Sequence, residues 1–153
     1  MERLTLRRKA GALIIVIALL VIAAAACATN TNEGKVNWLY DWNEALNMAQ
    51  SENKPMMIDF YGDWCSPCKR LDSDTYSDEE LSAFLNDNFV SLKSNVDKSN
   101  LHVNYPNIRY IPTIIFTSPE GTEIGRWVGY KPPDQFHQDT QEVLDWWESQ
   151  SQS

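Results

Sequence analysis

An α/β domain with a mixed central sheet and helices on both faces is the fold class this sequence predicts. Three observations lead there. Short apolar runs of strand length alternate with stretches of helical spacing. The first two strands are joined by helical sequence, as a parallel βαβ unit requires. The last two are separated by the tight turn of a hairpin, and a final amphipathic stretch follows.

The elements follow in order along residues 36–149. Asp41 to Glu52 places Trp42, Ala45, Leu46, Met48 and Ala49 at helical spacing, and Asn53-Lys54-Pro55 ends that helix. Met56 to Tyr61 (MMIDFY) is a short apolar run, consistent with a central strand buried on both faces. Gly62-Asp63 turns the chain, and a helix is expected from about Cys65 to Ser73. Ser77-Asp78-Glu79-Glu80 reads as another helix start, with Ser77 as N-cap and Glu80 closing a capping box. That helix turns Leu81, Phe84 and Leu85 inward. Phe89 to Val96 is the second strand, and Asp97 to Arg109 is loop or irregular helix. Thr113 to Thr117 is the third strand. Pro119-Glu120-Gly121 turns it into Ile124 to Val128, which Pro132-Pro133 stops. Asp134 to Ser149 is the last helix, with Phe136, Val143, Leu144 and Trp147 as candidate core. Residues 150–153 are a tail.

Of 153 residues, 43% are apolar and 22% charged, which excludes a disordered chain and a multi-pass membrane protein. Basic residues Arg3, Arg7, Arg8 and Lys9 crowd the start, so the body beyond is more acidic than the overall net charge of −8. Such a body has no positive field with which to replace phosphate counterions, and no nucleic-acid partner is expected.

Arg7-Arg8-Lys9 precedes an uncharged run from Ala10 to Ala28. A basic start, an apolar middle and a small-residue end describe an export signal. The run is also long enough to span a bilayer, with its basic flank kept inside and the acidic body outside. Segment 1–28 is therefore read as a signal peptide, a lipoprotein signal or a membrane anchor. Cys27 after Ala24-Ala25-Ala26 resembles a bacterial lipoprotein cleavage site, although Ala24 stands where Leu is more usual. Lipidation at Cys27, an uncleaved anchor and release by cleavage all stay open. Residues 29–35 form a polar tether.

Trp64-Cys65-Ser66-Pro67-Cys68-Lys69 lies between a buried strand and a helix. Two cysteines three apart at a helix start share one face, one turn from each other. Cys65 at the N-terminus meets unpaired backbone N–H groups, which favour its thiolate, the attacking species. Pro67 is tolerated in the first turn. Cys68 lies deeper and can resolve a mixed disulfide at Cys65. Other uses of the pair are less well matched. A four-residue disulfide loop gains little chain entropy. Zinc usually takes two further ligands, and His102 and His137 are isolated. Copper(I) needs only two thiolates and remains an alternative, as does a client-binding module without turnover. The reading is a redox-active Cys65–Cys68 pair, with no metal and no other cofactor.

Together these residues are similar to the thioredoxin superfamily over about residues 36–149. The stretch Lys54 to Cys65 (KPMMIDFYGDWC) and Thr75-Tyr76-Ser77-Asp78 most resemble one branch. It is the thioredoxin-like C-terminal domain of the bacterial thiol:disulfide interchange protein, the periplasmic disulfide reductase. The resemblance implies a thioredoxin-like fold and a thiol-disulfide oxidoreductase acting on disulfide-bearing exported proteins. That reductase carries a multi-span electron-conducting segment, whereas this chain has one apolar run, so a separate membrane electron donor is implied.

The resemblance also assigns residues. Asp59 aligns with a buried aspartate that relays the proton of the second cysteine, and burial should raise its pKa. The lesser alternative is an acid reaching solvent at a strand end, since an acid in a buried strand is costly without work or a partner. Lys93 matches a lysine beside that aspartate, or is a plain surface lysine. Pro112 falls where thioredoxins keep a cis-proline facing the cysteines, and Ile111 then offers its backbone to a substrate strand. Trp64 is expected to shield the site, and Gly129 to lie beside the substrate groove. Ser66-Pro67 offers the thiolate one hydroxyl and no imidazole. Asp63 is expected to disfavour the anion at Cys65. Both point to a reductant more than a disulfide-forming oxidase.

Overall fold

The computed structural model describes residues 35–151. Segment 1–28, its Cys27 and the tether up to residue 34 lie outside the described residues.

The elements run β1 (Trp38–Leu39), α1 (Trp42–Glu52), β2 (Met56–Tyr61), α2 (Ser66–Arg70), a π-helical turn (Leu71–Thr75), α3 (Glu79–Asn88), β3 (Val90–Asn95), a 3-10 turn (Leu101–Val103), β4 (Thr113–Thr117), β5 (Glu123–Val128) and α4 (Pro133–Ser151). The sheet order is β1-β3-β2-β4-β5. β1 and β2 lie parallel to β3, whereas β4 is antiparallel to β2 and β5 to β4. The expected mixed sheet with helices on both faces is what forms.

Local chemistry fixes the helix ends. Asp41 caps α1 by accepting the Glu44 N–H at 2.9 Å, and Asn53 closes it in a left-handed conformation. The start of α3 differs from expectation. Asp78, not Ser77, is its N-cap and accepts the Leu81 N–H at 2.8 Å. Ser77 instead donates its hydroxyl back to the Ser73 carbonyl at 2.8 Å. The shift follows from the preceding segment, where the expected helix to Ser73 ends at Arg70 and widens into the π-helical turn. Tyr76 N–H there reaches the Leu71 carbonyl at 2.8 Å. β1 was not anticipated, because a two-residue edge strand carries no periodicity to read.

The central strands alternate between two cores. Met56, Ile58 and Phe60 join Ala45 and Ala49 of α1 with Leu101 and Tyr105 of the 97–111 segment. Met57 points the other way, into a core with Leu71, Tyr76, Leu81, Leu85, Phe116 and Phe136. The period of two therefore places Asp59 on the second face, beneath the segment that follows α2. In the same register Asp59 lies opposite Lys93 of β3.

Phe136 of α4 is fully buried and packs edge-on against Tyr76 and Trp127, with ring centroids at 5.5 and 5.0 Å. It ties the last helix to the segment behind the cysteines. Phe136→Ala should destabilise the domain by about 3–5 kcal/mol. Urea unfolding should show a lower midpoint with an unchanged slope. A midpoint within error of wild type would show that α4 is not held this way.

Candidate active site

Cys65 and Cys68 are joined by a disulfide. They sit where β2 has ended and α2 begins. Cys65 is the N-cap of α2, and its Sγ accepts the Cys68 N–H at 3.2 Å. That donor is one of the otherwise unpaired amides of a first turn, so in the reduced state it faces a Cys65 thiolate. Pro67 occupies the first turn without interrupting it, because its missing N–H would have had no intrahelical partner. Exposure does not separate the two cysteines. Each is only 2% exposed, so Cys65 is not the more open thiol in this oxidised form. Helix position is what distinguishes them. Ser66 and Pro67 are exposed between them.

Asp59 is completely buried. Both carboxyl oxygens lack a hydrogen bond of good geometry, and so does the buried Tyr76 hydroxyl. Burial pushes the Asp59 pKa up to about 7, and Asp72 adds to the rise; Lys93 and Tyr76 are close enough to oppose it. Tyr76 is raised well above its usual range, first by burial and then by Asp59. Lys93 is only 8% exposed, so it is not a surface lysine. Its Nζ stands 3.7 Å from Asp59 Oδ2 and bonds Asp72 Oδ1 directly. An acid at a solvent-reaching strand end is thus not what β2 holds. The carboxyl can store a proton near neutral pH, as a base for a neighbouring thiol must.

Around the dithiol, three loops converge. Trp64 is 68% exposed, so it is not core. Its Nε1–H donates to Asp97 Oδ2 at 2.8 Å, which fixes the ring across the site's edge. Gly62 lets the chain pass close to Ile111 and Trp64, since a Cβ there would meet Ile111 Cδ1 at 3.0 Å and the Trp64 ring at 3.1 Å and push them aside. The Ile111–Pro112 peptide is cis, and Pro112 is buried while Ile111 is half-buried. A groove of about 470 Å³ runs between Trp64 and Ile111, with Val96, His102, Ile108 and Tyr110 along it. Gly129 lies at the third loop. Its N–H donates to the Pro112 carbonyl at 2.8 Å. Its φ of +96° suits glycine, and no atom lies within 4 Å of a Cβ built there, so the space above it is open.

Asp63 does not stand as an unanswered charge beside Cys65. Lys98 bonds its carboxylate at 2.7 Å and Asn95 at 3.0 Å. The Lys98 hydrogen bond is the main cause holding Asp63 below the ordinary carboxylate range. Its expected opposition to the thiolate is largely cancelled by that cation.

A sequence model of the family described as a thioredoxin-like domain matches residues 42–143. The chain belongs to the thioredoxin-like domain family. Among sequences, it is 38% identical over 85 residues to the thiol:disulfide interchange protein DsbD of Salmonella typhi. That match covers 53% of this chain and 14% of that protein. The chain thus spans about a seventh of such relatives. Among solved structures, a thioredoxin from Thermus thermophilus superposes with a TM-score of 0.63 at 28% identity. The superposition covers 71% of this chain and 87% of that one. Poplar thioredoxin h superposes with a TM-score of 0.58 at 25% identity, covering 73% and 98%.

Within this thioredoxin-like domain, sequence reasoning missed several residues around the site. Asp72 and Tyr76 were readable in principle, because Cys68, Asp72 and Tyr76 recur every four residues, the spacing of one helix face. Asp97 and Lys98, which hold Trp64 and Asp63, come from a loop with no periodic signal. Among the described residues no group of three or more His, Cys, Asp or Glu could hold a metal ion, and no helix is long and apolar enough to cross a membrane.

The buried carboxyl sets a pH dependence whose sign is fixed. With a folded pKa of about 7 against an ordinary 3.8, Asp59 keeps its proton in the folded state between those values while the unfolded chain sheds it. Stability should therefore fall as pH rises through that window and level off above it, by roughly 4 kcal/mol in all. Asp59→Asn should flatten this part of the profile and be the more stable protein above neutral pH. Thermal unfolding of the oxidised form from pH 4 to 9 checks it; parallel profiles for the two proteins would contradict the assignment.

Proposed function

We propose that this chain is a membrane-tethered, extracytoplasmic thiol-disulfide oxidoreductase that reduces disulfides of exported proteins. The observation that carries the reading is the Cys65–Cys68 disulfide at a helix start, directly after the strand that holds the buried Asp59. The likeness to DsbD, whose name is thiol:disulfide interchange protein, supports the same chemistry.

The Cys65 thiolate attacks one sulfur of a substrate disulfide. A Cys65–substrate bond forms, the substrate disulfide breaks, and one substrate thiolate departs. Cys68 then gives its proton to Asp59 and attacks the Cys65 sulfur. The Cys65–Cys68 bond forms, and the second substrate thiolate leaves and is protonated. Two electrons pass to the substrate; Asp59 releases the Cys68 proton to one substrate thiolate, the other takes a proton from solvent, and the dithiol ends as the disulfide found here. The Ile111 backbone pairs with the substrate strand, Pro112 and Gly129 shape the groove, and Trp64 covers its edge.

The direction of flow follows from how strongly the reduced thiolate is stabilised. A strongly oxidising site has a cysteine pKa of about 3.5 and a potential near −120 mV, against about 7 and roughly −270 mV in thioredoxin. Here one backbone N–H serves Cys65, Ser66 is exposed, and no imidazole follows. The potential therefore lies nearer the reducing end. A reductant outside the cytoplasm needs continual resupply, which a separate membrane electron donor provides. The basic start, the apolar run and Cys27 supply the attachment.

Cys68→Ala in the full chain should accumulate mixed disulfides through Cys65, visible on non-reducing gels and lost on adding reductant. Identification of the trapped proteins then gives the substrates. If nothing is trapped, the exchange reading falls and a binding or copper-handling role takes its place. Equilibration of wild type against graded glutathione should give a potential close to thioredoxin's; a value near −120 mV would make the chain a disulfide-forming oxidase instead.

A second expectation concerns attachment. Fractionation should find the chain with membranes, and Cys27→Ser should abolish lipid labelling. Recovery of the wild-type chain as a soluble cytoplasmic protein would overturn the topology.

A further inference from the structure

Beneath the segment that follows α2 lies a charge cluster that the exchange reaction uses only in part. Asp59 has a role in it; Asp72, Lys93 and Tyr76 do not yet. Two carboxylates compete there for one ammonium. Lys93 Nζ bonds Asp72 Oδ1 directly, while Asp59 Oδ2 stands 3.7 Å away and receives no hydrogen bond. Three rings surround the ammonium, with Trp38, Tyr61 and Tyr76 centroids at 5.1, 5.0 and 5.6 Å. Each ring face attracts the cation and limits where it can sit. Asp72 is 46% exposed. Trp38, Tyr40, Asp72, Tyr76 and Lys93 also line a shared cavity of about 340 Å³.

We propose that Asp72 is a positioning residue: it anchors Lys93 in the aromatic cage, short of contact with Asp59, and so keeps Asp59 basic enough to take the Cys68 proton. This rests on the reading of Asp59 as the base of the resolving step. A buried carboxylate in direct contact with an ammonium is a strong acid and a poor base for a thiol. With Lys93 held on Asp72, the cation stays near enough to tolerate an ionised Asp59 and far enough not to fix it in that state. The other groups facing Asp59 are accounted for. Tyr76 is a neutral phenol with its own pKa raised by burial, Tyr61 lies on the same strand and meets the ammonium, and Cys68 belongs to α2. Without the Asp72 charge, only the ring faces among these groups restrain Lys93, and no second anion draws it away from Asp59.

The test follows the Asp59 carboxyl carbon by NMR titration of the full-length oxidised chain in detergent. Asp72→Asn should lower the Asp59 midpoint by about one pH unit or more, a tenfold loss of proton affinity. Asp72→Glu should restore it. In a Lys93→Met background the same Asp72→Asn change should shift the midpoint by less than half as much, which shows that Asp72 works through the ammonium. The pH profile of mixed-disulfide release should move with the midpoint. An unmoved midpoint in Asp72→Asn, or an equal shift without Lys93, overturns the proposal. Asp72 is exposed enough for its variants to fold, and Asp72→Ser gives a second neutral substitution. No turnover enters the titration. Loss of trapping by Cys68→Ala with the midpoint shift intact would sink the reductase reading alone; an unmoved midpoint with trapping intact would sink this one alone.

Discussion

A carboxyl group with no exposure and no hydrogen bond is the constraint around which this domain is arranged. Asp59 occupies the middle of the central strand, where an apolar side chain would cost nothing. Burying it unpaired and charged would cost many kcal/mol, so the group takes the alternative of holding a proton near neutral pH. The parallel register of β2 and β3 puts Lys93 across from it, and the π-helical turn brings Asp72 to the same ammonium. The helix that carries the cysteines is continued by this turn. The same backbone segment thus displays the dithiol at one end and manages the buried charge at the other.

The widening of that helix has a visible consequence. An uninterrupted α-helix would have continued with its N–H groups bonded four residues back. Between Leu71 and Tyr76 the bond reaches five back instead, which accommodates one extra residue. Thr75, within it, donates its hydroxyl to the Lys131 carbonyl at 2.6 Å. Tyr130, next to Lys131, bonds Asp74 and lies under Arg70, whose guanidinium carbon is 4.0 Å from the ring centroid. These contacts tether the Gly129–Lys131 loop to the active-site helix. Gly129 in turn bonds the Pro112 carbonyl, so the three loops around the cysteines hold one another in place.

Most of the architecture was legible because it rests on periodic burial. MMIDFY, the hairpin around Pro119-Glu120-Gly121 and the apolar stripe of the last helix all declare their faces in the order of residues. The dithiol was legible for a different reason: Cys-x-x-Cys between a strand and a helix start is specific chemistry at a defined place. What stayed hidden depends on pairing between distant segments. Lys93 was placed beside Asp59 only by family resemblance, because its position emerges from strand register, which a single strand's sequence does not encode. Asp97 and Lys98 act through loop geometry, and the cap of α3 moved from Ser77 to Asp78 because the preceding turn was not a regular helix. The expectation that Cys68 lies deeper than Cys65 is not met in the oxidised form, where both are 2% exposed.

A dithiol holds a single electron pair, and that stoichiometry constrains any use of the fold. Among the described residues Cys65 and Cys68 are the only cysteines, and they form one pair. One substrate disulfide exhausts them, and the product is the disulfide found here. Continued work as a reductant therefore requires that the same face accept two kinds of visitor in turn: an oxidised substrate and a reduced donor. Both must bring a sulfur to Cys65, past Trp64 on one side and Gly129 on the other. The groove suits such alternation. Its walls are mostly aromatic and aliphatic side chains, with His102 and Arg109 among them, and the space at Gly129 is open. Contacts of that kind give weak, exchangeable complexes when little area is buried. Tight binding of either visitor would block the other, so a shallow site serves the cycle better than a deep one.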